Sequence, residues 1–166
     1  MPENRPNDFL GLLRALTASE LNFIVIGGVA AVMHGASTAT QDLDVLMPFE
    51  IANCARLLQA VLPLHPRLSH TPERRSLNLS ASELASFKNL YLSTDLGRLD
   101  ILSSLISMPD LDSVMESAST MDVEGIQVRV ISLSMLIQVK SALGRPKDKQ
   151  VEMELRAIMN AAPSSS

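Results

Sequence analysis

One cysteine, no tryptophan and aromatics at 3% of 166 residues remove several functional classes at once. A single thiol, Cys54, cannot form an internal disulfide, so no disulfide framework holds the fold and a reducing cytosol is the expected setting. The plain expectation for Cys54 is a buried, inert thiol. With so few aromatics, stacking platforms for single-stranded bases are not expected. Excess positive charge is absent too. The net charge of −4 argues against coating nucleic acid electrostatically, although a local basic site stays open. No apolar run is long enough to span a membrane. The longest, Phe23 to Met33, falls short of the roughly 18 residues required, and Gly27-Gly28 interrupts it. The polar start, Met1 to Asp8, lacks the basic opening and apolar core of a secretory signal. A cytoplasmic protein with no membrane partner is expected.

Hydrophobic residues make up 46% of the chain, enough for one domain with a real core, expected over residues 1–160 with a disordered tail at 161–166. Asn7 or Asp8 can cap a first helix on which Phe9, Leu12, Leu13 and Leu16 share a face. Phe23 to Ile26 reads as a strand, Gly27-Gly28 as a turn, and Val29 to Met33 as a buried helix closed by Gly35. Asp42 to Leu46 is a second strand, stopped by Pro48, with a helix from Glu50 to about Leu62. Prolines and charges between Pro63 and Ser76 predict a mobile segment or a short irregular helix. Phe87 to Ser93 and Arg98 to Leu102 form an antiparallel hairpin around Asp95-Leu96-Gly97. A short helix is expected over Met108 to Ala118 and a half-buried strand over Ile126 to Val130. Ser132 caps a helix that Gly144 ends, and Pro146 starts a last helix to about Met159. The fold class is therefore α/β (α+β): a mixed β-sheet packed with helices, closing on a C-terminal helical pair.

The chemistry concentrates in three acids that interrupt apolar strands. Asp42 and Asp44 are two apart, so both face the same way while Leu43 and Val45 face the other. Asp100 lies in Arg98-Leu99-Asp100-Ile101-Leu102 with the same alternation. Were the two strands neighbours, three carboxylates would share one patch, an arrangement only a cation favours near neutral pH. Oxygen ligands suit Mg²⁺ or Mn²⁺. Alternatively, each Asp simply ends a strand on a solvated face. Gly27-Gly28 at a strand-to-helix turn adds backbone N–H groups with no side chain in the way, suited to phosphate. It matches neither the P-loop nor the dinucleotide fingerprint.

Taken together, Gly27-Gly28, His34-Gly35, Thr40-Gln41-Asp42-Leu43-Asp44, Leu99-Asp100-Ile101, Leu136 to Lys140 and Gly144-Arg145-Pro146-Lys147-Asp148 resemble the minimal nucleotidyltransferases with the DNA polymerase β-type nucleotidyltransferase fold. Within them the pattern is most similar to the branch of toxin–antitoxin and phage-defence toxins, over about Phe23 to Leu155. The resemblance implies that Asp42, Asp44 and Asp100 hold two Mg²⁺ ions, Mn²⁺ being able to substitute, and that Asp100 helps activate an attacking hydroxyl. It implies that Gly27 and Gly28 hold the triphosphate of an NTP, with Lys140 reaching it as a point charge. The acceptor would be an RNA 3′ end, such as that of tRNA, or a protein, and a cognate antitoxin would be a partner. Two positions depart from the pattern. Val29 stands where polymerase-like relatives carry Ser, and Thr38 where the toxin-like branch commonly carries Arg. Thr38 favours the alternative of a non-catalytic nucleotide-binding or interaction module that retains the fold.

Other residues have plainer readings beside the functional ones. Lys140 could equally be an exposed helix lysine. Arg145 and Lys147 either touch nucleotide or acceptor or belong to a solvated junction. Asp148 fits a dipole-complementing or Arg-pairing residue better than a metal ligand. Arg98 relieves repulsion around Asp100. His34 fits a packed or capping role, and His65 and His70 lack ligand spacing. Arg67, Arg74 and Arg75, or Arg145, Lys147 and Lys149, could supply a small basic patch for an RNA end.

Overall fold

The computed structural model describes residues 7–161. Of the tail expected to be disordered, 161–166, Ala161 belongs to the last helix and the rest lies outside the described residues. Seven α-helices, one 3-10 turn and seven strands follow in the order α1 (Phe9–Ala18), β1 (Ile24–Ile26), α2 (Gly27–Met33), β2 (Asp42–Leu46), α3 (Ile51–Val61), the 3-10 turn (Leu62–Leu64), β3 (Arg67–Leu68), α4 (Ala81–Leu84), β4 (Asn89–Thr94), β5 (Gly97–Leu102), α5 (Leu111–Glu116), β6 (Ser119–Val123), β7 (Ile126–Val130), α6 (Leu133–Leu143) and α7 (Pro146–Ala161). The strands form one mixed sheet in the order β3-β4-β5-β2-β1-β7-β6. β2 runs parallel to β5 and β1 parallel to β7, and the other pairings are antiparallel. The expected mixed sheet with a C-terminal helical pair is what forms.

Alternation decides the two faces. Leu43, Val45, Leu90, Leu92, Leu99 and Ile101 are buried and join one cluster with Leu12 and Leu16 of α1 and Leu57 and Val61 of α3. Their neighbours along β2 and β5 are the three acids. Asn53 of α3 is also buried. It accepts from Asn22 N and donates to the Asn22 and Pro48 carbonyls, fixing where the chain enters β1.

Most caps fall where sequence placed them. Asp8 caps α1 by accepting from Gly11 N, whereas Asn7 donates to the Gln41 carbonyl. Ser132 accepts from Met135 N, and Gly144 ends α6 at φ 65°. Cys54 is fully buried, as expected of an inert thiol, and burial pushes it up.

Three elements were not foreseen. In the segment expected to be mobile or irregular, Arg67–Leu68 pairs with β4, a strand too short to show alternation. Ser80 and Glu83 form a reciprocal capping box on α4, a signal legible in Ser-x-x-Glu. β6 pairs with β7 across Glu124-Gly125, both at positive φ.

Leu43 is fully buried, so Leu43→Ala is expected to cost about 2–5 kcal/mol of stability. Urea denaturation checks this. A loss well under 1 kcal/mol would mean that the face opposite the acids is not the core.

Candidate active site

Parallel pairing of β2 with β5 sets Asp42 against Arg98 and Asp44 against Asp100. Residues in register share a face, so the three acids converge. One carboxylate oxygen from each of Asp42, Asp44 and Asp100 lies within 4.8 Å of the other two. Asp42 Oδ1 and Asp100 Oδ1 are buried without a hydrogen-bond partner among the described residues. Arg98 Nε stands 3.5 Å from Asp42 Oδ1, close enough to attract it but not to satisfy it. Burial, aided by repulsion from Asp100 and Asp42, pushes Asp44 up to about 7, against the pull of Lys140 and Arg98. Burial and then Asp42 raise Asp100 as well, with Arg98 and His70 opposing.

A cleft of about 490 Å³ opens beside the acids, lined by Asp42 and Asp44 but not by Asp100. Gly27 and Gly28 at the start of α2 form part of its wall, and α6 and α7 supply the side carrying Lys140, Arg145 and Lys147. Gly27 sits at φ +68°, and a Cβ there would collide with Asp44 Oδ2. A Cβ on Gly28 would come within 2.8 Å of Thr40 Oγ1. Sequence alone gave phosphate as the reason for both glycines. In the fold, the space that Gly28 leaves on its Cβ side is filled by Thr40, and Gly27 is needed for its backbone and for the approach of Asp44.

The cationic wall has an acid at its root. Asp148 is fully buried, pairs with Arg145, and lies 3.4 Å from Lys140 Nζ. The hydrogen bond from Arg145 holds the Asp148 carboxyl below its usual range, against the cost of burial. Arg pairing was expected of Asp148, but its burial and its hold on Lys140 were not legible, because α6 and α7 meet only in three dimensions. Lys140 is nearly covered and not the exposed helix lysine that sequence allowed. Across the cleft, Glu154 of α7 accepts from Ser37 N and fastens the loop that carries Thr38 and Thr40.

The remaining candidates sort by position. His34 Nε2 lies 2.7 Å from the Ile131 carbonyl, a packing role. His65 pairs with Asp95 on the surface. Arg67, Arg74 and Arg75 lie outside the cleft, beyond β4. His70, to which sequence gave no role, stacks on Tyr91, and Tyr91 is in register with Asp100.

No protein-family model matches the chain, and no curated protein does. Solved structures do. The lincosamide antibiotic adenylyltransferase LnuA, in its lincomycin-bound crystal structure, superposes with a TM-score of 0.59 at 13% identity, over 93% of this chain and 99% of its own. An antigenic nucleotidyltransferase-like protein of Paracoccidioides brasiliensis gives 0.59 at 14% identity, over 97% and 81%. A provisionally assigned nucleotidyltransferase of Thermotoga maritima gives 0.56 at 16% identity, over 93% and 91%. The chain has the nucleotidyltransferase fold. At these identities the likeness concerns fold, and the case for chemistry rests on the residues.

Those residues fit a divalent cation. Two buried carboxylate oxygens lack a hydrogen-bond partner among the described residues, the donors are all hard oxygens, and only added positive charge lets the three ionise together.

A pH profile tests this. Folded Asp44 keeps its proton to about pH 7, whereas the unfolded chain releases it near 4. Between these values the folded state binds more protons, so metal-free stability contributed by Asp44 falls as pH rises and is gone above about 7. Asp44→Asn removes that slope. The melting temperature of the variant relative to the parent is expected to climb from pH 4 to 7.5, and Mn²⁺ at pH 7.5 is expected to raise the parent alone. Parallel profiles would refute the assignment.

Proposed function

We propose that this protein is a Mg²⁺-dependent nucleotidyltransferase that moves an NMP group from an NTP to a hydroxyl and releases pyrophosphate. The observation that carries the reading is the convergence of Asp42, Asp44 and Asp100, with two orphaned oxygens, at one wall of a cleft whose other wall carries Lys140 and Arg145. The three carboxylates would hold two Mg²⁺ ions, with Mn²⁺ able to substitute. Bound there, the ions would lower the pKa of the attacking hydroxyl and neutralise the leaving pyrophosphate.

The chain's own groups account for the rest. Gly27, Gly28 and Lys140 line the cleft and take the triphosphate, Lys140 as a point charge braced by Asp148. Asp100 stands off the cleft and receives the hydroxyl proton. The acceptor oxygen bonds to the α-phosphorus while the bond from that phosphorus to the bridging oxygen breaks, its electron pair leaving with pyrophosphate. Such transfers depend on positioning and charge, which this site supplies without a side-chain nucleophile.

Residues 1–160 act as one catalytic unit in this reading, in the cytoplasm. The acceptor is an RNA 3′ end, as of tRNA, or a protein side chain, and a cognate antitoxin restrains the activity. These choices rest on the motif resemblance to the toxin-like branch. LnuA, matched over nearly its whole length, acts on a lincosamide antibiotic, which supports including small hydroxylated acceptors in any assay. Thr38 on the cleft wall supports a second reading, a nucleotide-binding module without turnover.

The decisive assay incubates the protein with each α-labelled NTP, Mg²⁺ and, separately, total RNA, protein extract and hydroxylated antibiotics. Label is expected in one acceptor class. Asp42→Asn is expected to reduce transfer by more than about 100-fold, beyond the cost of disturbing an outer partner of a metal site. Thermal stabilisation by NTP and Mg²⁺ without transfer to any acceptor would favour the binding module.

A further inference from the structure

The three acids divide the sheet face in two. The cleft lies on one side, and Asp100 is not part of its wall. On the other side β4 and β3 carry the same face outward. Antiparallel register puts Tyr91 opposite Asp100 and Ser93 opposite Arg98, and Arg67 of β3 opposite Ser93. Opposed residues share a face. One row therefore runs Asp44, Asp100, Tyr91, and the next runs Asp42, Arg98, Ser93, Arg67.

Tyr91 is the chain's only tyrosine. His70 lies flat on it, with ring centroids 4.1 Å apart and planes 13° from parallel. His70 itself is exposed. The stack is anchored to the sheet. Ser69 donates its backbone N–H to the Tyr91 carbonyl, and the Ser69 and Ser93 hydroxyls are 2.8 Å apart. Composition argued against a stacking platform because it counts aromatics and not where one tyrosine meets one histidine.

Arginines gather beside the stack, next to the acids of the same two rows. Arg67 and Arg98 are exposed on this face, and Arg74 and Arg75 lie on the loop that returns beside β3. Glu73, paired with Arg75, is the one carboxylate of that loop, while Asp100 and Asp42 lie in the rows themselves. Aromatic rings accept any nucleobase face, and guanidinium groups match phosphate.

We infer that the His70–Tyr91 stack and Arg67 form the acceptor subsite, which takes the terminal base of a single-stranded nucleic acid and leaves its 3′-hydroxyl beside Asp100. The inference rests on the transferase reading for the word acceptor, and deepens it. In the reaction, the 3′-oxygen bonds to the α-phosphorus, pyrophosphate leaves with the electron pair of the broken bond, and the hydroxyl proton passes to Asp100.

Equilibrium binding tests the subsite without turnover. The probe is a fluorescent RNA of about eight nucleotides with a free 3′-hydroxyl, compared with its DNA counterpart and with an RNA whose last nucleotide is abasic. His70→Ala and Tyr91→Leu are expected to weaken binding of the intact RNA by roughly five- to a hundredfold, and Tyr91→Phe to preserve it. The abasic end should reproduce the loss on the parent. Arg67→Ala should reduce the logarithmic salt slope by about one. Since His70 is exposed, its variant keeps the fold, and stabilisation by NTP and Mg²⁺ should match the parent. Equal RNA binding by parent and His70→Ala would overturn the inference, as would no binding by the parent or labelling of protein with the stack variants unaffected. Binding through the stack with no transfer to RNA, protein or small acceptors leaves the nucleic-acid site standing and removes the transferase reading. Transfer to a small acceptor with no RNA binding does the reverse.

Discussion

Three carboxylates face one another across two parallel strands, and two of their oxygens have no hydrogen-bond partner among the described residues. Such crowding is unfavourable by itself, so something else must hold the strands in register. That work falls to the opposite face, where Leu43, Val45, Leu99 and Ile101 are buried. A slip of one residue between β2 and β5 would carry the acids into the core and the leucines into water, so the hydrophobic face fixes the register and the register fixes the acids. Stability on one side of the sheet offsets electrostatic stress on the other, a division common where a site is built for a ligand.

Around that stress the fold arranges compensation at two distances. Arg98 sits on the same face and attracts Asp42 without satisfying it. Lys140 and Arg145 stand farther off, across the cleft. They are kept there by Asp148, which neutralises part of their charge yet fixes where it lies. The cleft thus has an acidic wall and a basic wall, each positioned by packing and not by direct contact with the other. A bound cation on one wall and a polyphosphate on the other would complete the charge balance, which ties the architecture to the proposed chemistry.

The glycines illustrate how local and tertiary demands combine. Gly27 is needed by its own backbone angle and by Asp44, and Gly28 by Thr40. The turn is therefore shaped first by the acids and their loop. Glu154 adds a tie from the last helix to that same loop. Residues far apart in sequence then share control of one cleft edge, so changes in α7 would be felt near Thr38.

Sequence by itself determined much of the secondary structure, because local signals suffice for it: the Asp8, Ser132 and Gly144 caps, the hairpin turn at Asp95-Leu96-Gly97, and the alternation of β2 and β5. It determined that Asp42 and Asp44 share a face, since the period of a strand is two. Only tertiary structure decided that Asp100 joins them, because the partner of a parallel strand is chosen by the packing of the whole sheet and not by any local pattern. The burial of Asp148 and the stacking of His70 on Tyr91 were decided in the same way. Each depends on contacts between segments that approach only after collapse, and a single chain read in order carries no signal for which segments those are.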